Sequence, residues 1–195
     1  MAKAFRELVG VPPSTASTSD SVLVIIDAQN EYADGILTTA NVTQTRAALA
    51  RLVTKYRTAG APIVHVLHRT PAGAPIFTTG TALSEEFDEL APSEKEKEKE
   101  KVIHKQHPGA FSGTDLQPFL ASTGRPKIVL TGYMAHVCVS TTARQAAELG
   151  FDVVVPRDAV GDRDIPGVAA EELVRVALAE LADAFGTVVN SDEIN

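Results

Sequence analysis

Residues 22–30 have the sequence VLVIIDAQN, and this stretch decides the fold class. Its first five residues form an unbroken apolar run that is rich in β-branched side chains and has the length of a strand. Such a run is typical of a strand that is buried on both faces of a parallel sheet. Downstream, apolar residues at helical spacing predict a helix over 42–58, and PIVHVL predicts a second strand at 62–67. The fold therefore begins with the order strand, helix, strand.

The same alternation continues through the rest of the sequence. Further strands are predicted at 101–105, 127–131, 151–155 and 187–189, and further helices at 115–122, 138–149 and 167–185. Strands that alternate with helices are joined by right-handed crossovers and form an open parallel sheet with helices on both faces. We therefore expect a three-layer α/β/α, Rossmann-like fold with an open sheet of about six mainly parallel strands.

Length and composition favour a single domain. A chain of 195 residues with 44% hydrophobic residues can bury one sizeable core, and no linker divides it. We expect one domain over 1–195, in which the polar and proline-containing segment 1–20 is a flexible lead-in. The stretch SEKEKEKE at 93–100 alternates in charge without an apolar face, which predicts a solvated loop or helix end.

Net charge and cysteine content limit the classes of partner. The formal net charge is −7, so no basic field is present to attract nucleic acid or an anionic membrane surface. No apolar run has the length of a signal-peptide core or of a membrane span. Cys138 is the single cysteine, which excludes an internal disulfide and fits a reducing compartment. These features predict a cytoplasmic protein that acts on a small molecule and binds neither nucleic acid nor membrane.

Three chemically capable residues follow predicted strands. Asp27 follows the first strand, Lys105 ends the third, and Cys138 lies just beyond the fourth. Because ligands bind beyond the C-terminal strand ends of open parallel sheets, we expect the three side chains at one rim. A helix N-terminus and a nearby ammonium both favour a thiolate at Cys138. Asp27 can accept the thiol proton and return it to a departing amine, while free N–H groups in the turn 133–138 can face an oxyanion.

Each of these residues also has a purely structural interpretation. An aspartate after a strand is often a helix cap, and an isolated lysine is usually a solvated surface group. An isolated cysteine often packs as a small apolar side chain. His65 and His68 are three residues apart and could be taken for two ligands of a metal ion. On a strand, however, residues at this spacing point to opposite faces of the sheet. We therefore predict no metal site and no cofactor.

Three local sequences carry a family resemblance. They are VIIDAQNEY at 24–32, KQHPGAF at 105–111, and TGYMAHVCVSTTARQAAELGFDVVVPRDAVGDRD at 131–164. These blocks resemble the isochorismatase-like cysteine hydrolases, a family that includes nicotinamidases, carbamoylsarcosine amidohydrolase and other amidases. The resemblance extends from about residue 20 to the end of the third block and beyond, and it implies a Rossmann-like α/β/α domain.

The resemblance also implies a catalytic site. The residues that match the family's triad are Asp27, Lys105 and Cys138. The backbone N–H groups of Met134 and Cys138 are implied as the oxyanion hole, with a non-proline cis peptide bond between Tyr133 and Met134. The residues that we expect to bind substrate, from their positions near the rim, are Tyr32, Phe111, Tyr133 and His136.

Departures from the family pattern limit the reactions that this chain is expected to catalyse. The segment 33–69 lacks the Asp-x-His motif with which nicotinamidases bind a metal, so that activity is disfavoured. True isochorismatases typically lack the nucleophile, because cleavage of a vinyl ether needs a proton donor rather than a thiolate. Cys138 therefore favours hydrolysis of a small amide through a thioester intermediate. At 109–111 this chain has Gly-Ala-Phe where relatives often have Ser-Ala-Phe.

Two other functions stay open. One is vinyl-ether hydrolysis of isochorismate with Asp27 as the acid and Cys138 incidental. The other is a non-catalytic scaffold protein, since a fold does not guarantee an activity. A dinucleotide site is disfavoured because the turn 27–30 lacks the glycine pattern that such sites need. Relatives are commonly dimers or tetramers, so we expect a homo-oligomer.

Overall fold

The computed structural model describes residues 2–96 and 100–195, within which seven strands form one sheet. The strands are β1 (Ser21–Ile26), β2 (Ile63–His68), β3 (Lys101–Lys105), β4 (Lys127–Tyr133), β5 (Asp152–Pro156), β6 (Val160–Gly161) and β7 (Thr187–Val189). The α-helices are α1 (Phe5–Leu8), α2 (Glu31–Asp34), α3 (Val42–Ala59), α4 (Leu116–Ser122), α5 (Ser140–Glu148) and α6 (Ala170–Ala184).

Every pairing between these strands is parallel, and β1 lies near the middle of the sheet. The order is β3-β2-β1-β4-β5-β7, and the two-residue β6 pairs with the end of β4. Leu23 of β1 is in register with Ile63 on one side and Val129 on the other. All six residues of β1 are buried, as the apolar run predicts. The predicted three-layer α/β fold with a mainly parallel sheet is confirmed.

Alternate side chains of β1 enter two separate cores. Val22, Val24 and Ile26 pack with residues of α4, α5 and α6, whereas Leu23 and Ile25 pack with residues of α3. Burial of each such side chain contributes about 1.5–3 kcal/mol, so both faces hold the central strand in place. The carboxyl ends of β1, β2, β3 and β4 consequently share one rigid edge of the sheet.

The N-terminal segment contacts the C-terminal part of the domain. The expected flexible lead-in contains the one-turn helix α1, and its backbone is hydrogen-bonded to the rest of the domain. The N–H of Ser14 donates to Thr187 Oγ1 at 2.8 Å, and the N–H of Thr18 donates to the carbonyl of Asn195 at 2.6 Å. The segment thus runs along the end of the sheet where β7 lies, in a position that its polar composition did not indicate.

The acidic and basic run at 93–100 is only partly described, because its residues 97–99 lie outside the described part of the chain. Glu100 is buried, so the prediction of a solvated run is wrong at this position. Its carboxylate accepts from Arg57 Nε at 2.8 Å and contacts His65 Nε2 at 2.9 Å. The second nitrogen of His65 contacts Glu86 at 2.8 Å. This buried network joins the end of the segment to β2.

Candidate active site

Asp27, Lys105 and Cys138 come together beyond the carboxyl ends of the strands. Lys105 Nζ lies 2.7 Å from Asp27 Oδ2 and donates a 3.4 Å hydrogen bond to Cys138 Sγ. The side chains of Asp27 and Lys105 are fully buried, and only 6% of Cys138 is exposed. The other carboxylate oxygen, Asp27 Oδ1, has no hydrogen-bonding partner among residues 2–96 and 100–195. The structure therefore brings together the three residues that the sequence selected.

The backbone around Asp27 is closely constrained. Asp27 has a φ of 50°, an uncommon conformation for a residue other than glycine. Its N–H donates to the carbonyl of Val66 at 2.7 Å, and its carbonyl accepts from the N–H of Gln29 at 2.7 Å. On the neighbouring strand, a Cβ at Gly132 would lie 2.0 Å from the carbonyl oxygen of Ile26. Only glycine permits this approach of β4 to the end of β1.

The turn after β4 carries the cysteine. The peptide bond between Tyr133 and Met134 is cis, so that prediction is confirmed. Ala135–Val139 forms one turn of π-helix that leads directly into α5, a type of turn often found at functional sites. Cys138 therefore stands just before α5, close to the predicted helix start. The N–H of Met134 has no acceptor in the described part of the chain, which leaves it available to a ligand.

His136 in the same turn is held by an aspartate that the sequence did not single out. Asp162 Oδ2 contacts His136 Nδ1 at 2.7 Å and accepts from its backbone N–H at 3.0 Å. The side chain of Asp162 is fully buried, and its carbonyl accepts from the N–H of Ala40 at 2.8 Å. The short strand β6 pairs with Gly132 and Tyr133 and brings Asp162 to this position. A two-residue strand leaves no periodic signal in the sequence, so neither β6 nor Asp162 was predicted.

The electrostatics of the site differ from the sequence prediction. Burial, and then the negative charge of Asp27, raise the pKa of the Cys138 thiol to about 12, although Lys105 opposes the shift. Burial also raises the pKa of the Asp27 carboxyl, against the effect of Lys105. The resting site therefore holds a neutral thiol, and the expected thiolate is wrong. Desolvation outweighs the helix N-terminus and the ammonium, because burial removes most of the water that would stabilise a charge on the sulfur.

His68, at the end of β2, is a second polar residue of this site that sequence reasoning passed over. Lys105 Nζ contacts His68 Nδ1 at 3.2 Å. His68 ends a strand, much as Asp27 follows one, but its spacing from His65 suggested only a metal ligand. His65 lies between Glu86 and Glu100 instead, so the two histidines face different surroundings, as strand alternation predicts. No three His, Cys, Asp or Glu side chains in the described ranges are arranged to hold a metal ion.

A row of four rings lines the region beside Lys105. The ring of His68 lies 5.1 Å from Phe77, Phe77 lies 5.3 Å from Tyr32, and Tyr32 lies 5.3 Å from Tyr133. We call this row the aromatic wall. The Tyr32 hydroxyl makes no hydrogen bond within the part of the chain that the structure describes. Burial, and then the negative charge of Asp27, raise the pKa of the Tyr32 hydroxyl.

The remaining pocket candidates differ in their surroundings. Tyr133 is fully buried and its hydroxyl shares a 2.6 Å hydrogen bond with Thr45, so its ring stands behind Tyr32. Phe111 stacks on Phe151 at 6.2 Å and packs against the core formed by α4, α5 and α6. The departure from the family pattern at Gly109 also has a physical reason. A Cβ there would lie 2.2 Å from the side-chain oxygen of Gln145.

The fold and site define an α/β protein with a buried Asp, Lys and Cys cluster at the carboxyl edge of a parallel sheet. Residues 21–193 match the model of the isochorismatase domain family. A secreted isochorismatase effector of Verticillium dahliae is 64% identical over 98% of this chain and 98% of that protein. The crystal structure of an isochorismatase from Pseudomonas putida is 31% identical, with a TM-score of 0.94 and 100% coverage of both chains.

An amidase is also among the similar structures. The N-carbamoylsarcosine amidase of Thermoplasma acidophilum is 28% identical, with a TM-score of 0.76, over 90% of this chain and 99% of that one. The chain belongs to the isochorismatase family, as its motifs indicated. It is a hydrolase of that family, whose members include amidases.

The prediction of a cytoplasmic location is wrong. It is contradicted by the relative from Verticillium dahliae, which is 64% identical and is named a secreted effector. The prediction was drawn from a single cysteine and from the lack of a long apolar run, and neither feature determines where a folded protein acts. Within the described residues, no helix is both long enough and apolar enough to cross a membrane.

Proposed function

We propose that this hydrolase cleaves the vinyl-ether bond of isochorismate, with Asp27 as the proton donor. The observation that carries the proposal is the 64% identity, over nearly the whole chain, to a protein named an isochorismatase. Burial supports it because it raises the pKa of the Asp27 carboxyl, and a raised pKa makes a carboxyl group better able to take up a proton and deliver it to the substrate. The neutral Cys138 thiol fits the same reaction, which does not use a thiolate.

The reaction can be written from the chemistry of a vinyl ether. Asp27 protonates the terminal methylene carbon of the enolpyruvyl group, and the positive charge that forms is shared with the ether oxygen. Water adds to the cationic carbon and gives a hemiketal, while Asp27 regains a proton from that water. As the bond to the ring oxygen breaks, the hemiketal hydroxyl gives up its proton and becomes the ketone of pyruvate, while the ring oxygen takes up a proton and leaves as the ring diol. Lys105, 2.7 Å from Asp27, holds the carboxyl group in place throughout.

Substrate contacts are proposed for the aromatic wall and the turn after β4. Tyr32 has a hydroxyl without a partner among the described residues, and we propose that this hydroxyl contacts the substrate while its ring packs against Phe77 and Tyr133. For the amide hydrolysis that is the second candidate, the unpaired Met134 N–H and the Cys138 N–H are proposed to face the negative charge that develops on the carbonyl oxygen, as an oxyanion hole does. Phe111 and His136 are retained as proposed substrate-binding residues, while Tyr133 supports Tyr32 from behind.

Amide hydrolysis by Cys138 is the second candidate. It is supported by the 3.4 Å hydrogen bond from Lys105 to the sulfur and by the similarity to an N-carbamoylsarcosine amidase. In this reaction the thiol proton passes to Asp27 as sulfur attacks the carbonyl carbon, and the amine departs with that proton. Water then hydrolyses the thioester. The high pKa of the thiol requires proton transfer during the attack, and no preformed thiolate takes part.

Two variants separate these candidates. The wild type and Cys138→Ala are assayed for release of pyruvate from isochorismate and for release of ammonia from a panel of small amides and carbamoyl compounds. The first proposal expects pyruvate release by both proteins, with Cys138→Ala within roughly tenfold of the wild type because the sulfur takes no part in the proton transfer. Ammonia release that disappears in Cys138→Ala, without pyruvate release from isochorismate, would replace the first proposal with the second.

The setting in which the protein acts is also a proposal. Because the Verticillium dahliae relative is named a secreted effector, we propose that this protein acts outside the cell that makes it. Antibody detection in culture filtrate and in cell extract tests this, with a cytosolic enzyme as the leakage control. We further propose a homo-oligomer, a dimer or tetramer, which light scattering coupled to gel filtration measures directly. A monomeric mass at all concentrations would contradict it.

A further inference from the structure

We propose that His68 is a positioning residue of the catalytic centre. Its Nδ1 holds the ammonium of Lys105, and its Nε2–H remains free to donate a hydrogen bond to an oxygen of the substrate. The inference deepens the proposed function. It rests on that function in one respect, which is that the cluster of Asp27, Lys105 and Cys138 is the reacting centre.

The ammonium of Lys105 has three hydrogens to donate and no lone pair to accept with. Three acceptors surround it: Asp27 Oδ2 at 2.7 Å, His68 Nδ1 at 3.2 Å and Cys138 Sγ at 3.4 Å. The side chain of Lys105 is fully buried, so an unpaired N–H would not find water in place of a lost partner. His68 therefore supplies the third acceptor that fixes Lys105 between the carboxylate and the sulfur.

This contact also determines which nitrogen of His68 carries the proton. Because Lys105 can only donate, Nδ1 must offer its lone pair, and the proton of the neutral ring lies on Nε2. Burial, followed by the positive charges of Lys105 and His107, lowers the pKa of His68 to about 4, so the ring is neutral at ordinary pH. Nε2 has no protein acceptor among the residues that the structure describes. One N–H donor next to the reacting centre is thus unpaired.

The position of the imidazole is fixed independently of Lys105. The backbone N–H of His68 donates to Gln29 Oε1 at 2.7 Å, and Gln29 Nε2 donates to the carbonyl of His68 at 3.1 Å. The ring packs against Phe77 at 5.1 Å. The end of β2 is therefore clamped to the turn that follows Asp27. A side chain anchored in this way can position a flexible lysine.

Two substitutions separate the two roles of the ring. His68→Asn places its polar group near the position of Nδ1 and restores an acceptor for Lys105, but it lacks the distal donor. His68→Gln places its amide near the position of Nε2 and lacks the acceptor next to Lys105. His104→Phe is the matched control, since His104 is exposed and contacts Arg69 rather than Lys105. Circular dichroism and thermal unfolding verify that each variant is folded.

The first readout needs no substrate. Iodoacetamide alkylation of Cys138 at pH 9, followed by intact mass, reports how well Lys105 stabilises the developing thiolate. We expect His68→Gln to react roughly tenfold more slowly than the wild type, and His68→Asn and His104→Phe to stay within about threefold of it. Wild-type reactivity in folded His68→Gln would overturn the positioning role, whether or not isochorismate proves to be the substrate.

The second readout tests the free donor. With isochorismate, His68→Asn is expected to raise KM by roughly tenfold with little change in kcat, whereas His68→Gln lowers kcat. An unchanged KM in His68→Asn would show that Nε2–H does not contact the substrate and would overturn that half of the proposal. If the wild type does not act on isochorismate, the alkylation result still decides whether His68 holds Lys105, so the two failures are distinguishable.

Discussion

Asp27 and Lys105 form an ion pair of 2.7 Å in which both side chains are completely shielded from solvent. Neither charge has bulk water to compensate it, so each depends on the other and on the few polar groups in contact with the pair. The two residues lie at the carboxyl ends of β1, near the middle of the sheet, and of β3, at its edge. Substitution of either partner alone therefore leaves the other charge buried without compensation.

Replacement of Lys105 by methionine is therefore expected to lower both activity and stability. Lys105→Met keeps most of the side-chain volume but leaves Asp27 buried without its cation, which we expect to reduce the free energy of unfolding by about 3 kcal/mol. Urea denaturation measures the loss. In the double variant Asp27→Asn/Lys105→Met the buried charge is gone, so most of the stability should return. A double variant as unstable as Lys105→Met would show that the ion pair is not the cause.

The reactivity of the single thiol is expected to be low. Burial and Asp27 raise the pKa of Cys138 to about 12, so alkylation by iodoacetamide should increase up to pH 10 without reaching a plateau. Asp27→Asn removes the nearby negative charge, and its alkylation should be faster at every pH, with a lower midpoint. Intact mass provides the rates, and Cys138→Ala controls for other sites. A wild-type midpoint below the free-thiol value of about 8.5 would contradict the neutral thiol.

The buried histidine of β2 is expected to make stability depend on pH. Contacts with Glu100 and Glu86 outweigh burial and raise the pKa of His65 to about 9, above its ordinary value of 6.5. The stabilisation is therefore complete below about pH 6.5 and is lost as the pH rises through about 9. It amounts to up to about 3 kcal/mol. Urea unfolding at pH 7 and at pH 10 measures the free energy of unfolding of the wild type and of His65→Gln. The wild type should be more stable than the variant at pH 7, and this difference in stability should be smaller at pH 10. An equal difference at both pH values would contradict a charged His65.

Gly109 is expected to tolerate no side chain without rearrangement of Gln145. A Cβ there would lie 2.2 Å from Gln145 Oε1, so Gly109→Ala must displace the amide that donates to Ser112 at 3.0 Å. We expect a loss of about 1 kcal/mol in the free energy of unfolding, because the far end of a glutamine can move. Gly109→Ala/Gln145→Ala should cost less than the two single changes together. Thermal unfolding of the four proteins measures this, and strict additivity would exclude the steric contact.

The strands were predictable from the sequence because most of their residues are apolar. In a parallel sheet with helices on both faces, the residues of β1 must all avoid water, and the run at 22–26 shows this directly. The strands β3 and β7 have the predicted bounds. Their ends were visible in the sequence because Lys and Gly residues interrupt the apolar pattern there. The rim position of Asp27, Lys105 and Cys138 followed from the same reasoning.

Other features depended on contacts between distant parts of the chain. Glu100 belongs to a charged run that looks solvated, yet Arg57 and His65 pair with it inside the protein. The acidity of Cys138 was misjudged because a helix N-terminus and a lysine are visible in the sequence, whereas the extent of burial is not. His68 and Asp162 act through a neighbour in space, and no local motif marks that role.

The most direct test of the proposed function compares the wild type with Asp27→Asn in a single assay of isochorismate cleavage. Asparagine tolerates the positive φ of Asp27 and keeps its shape, but it has no proton to give. Pyruvate release is followed through lactate dehydrogenase at several pH values. We expect the wild type to release one pyruvate per isochorismate and folded Asp27→Asn to be at least about a hundredfold slower. Equal rates in the two proteins, or no pyruvate from the wild type, would contradict the account.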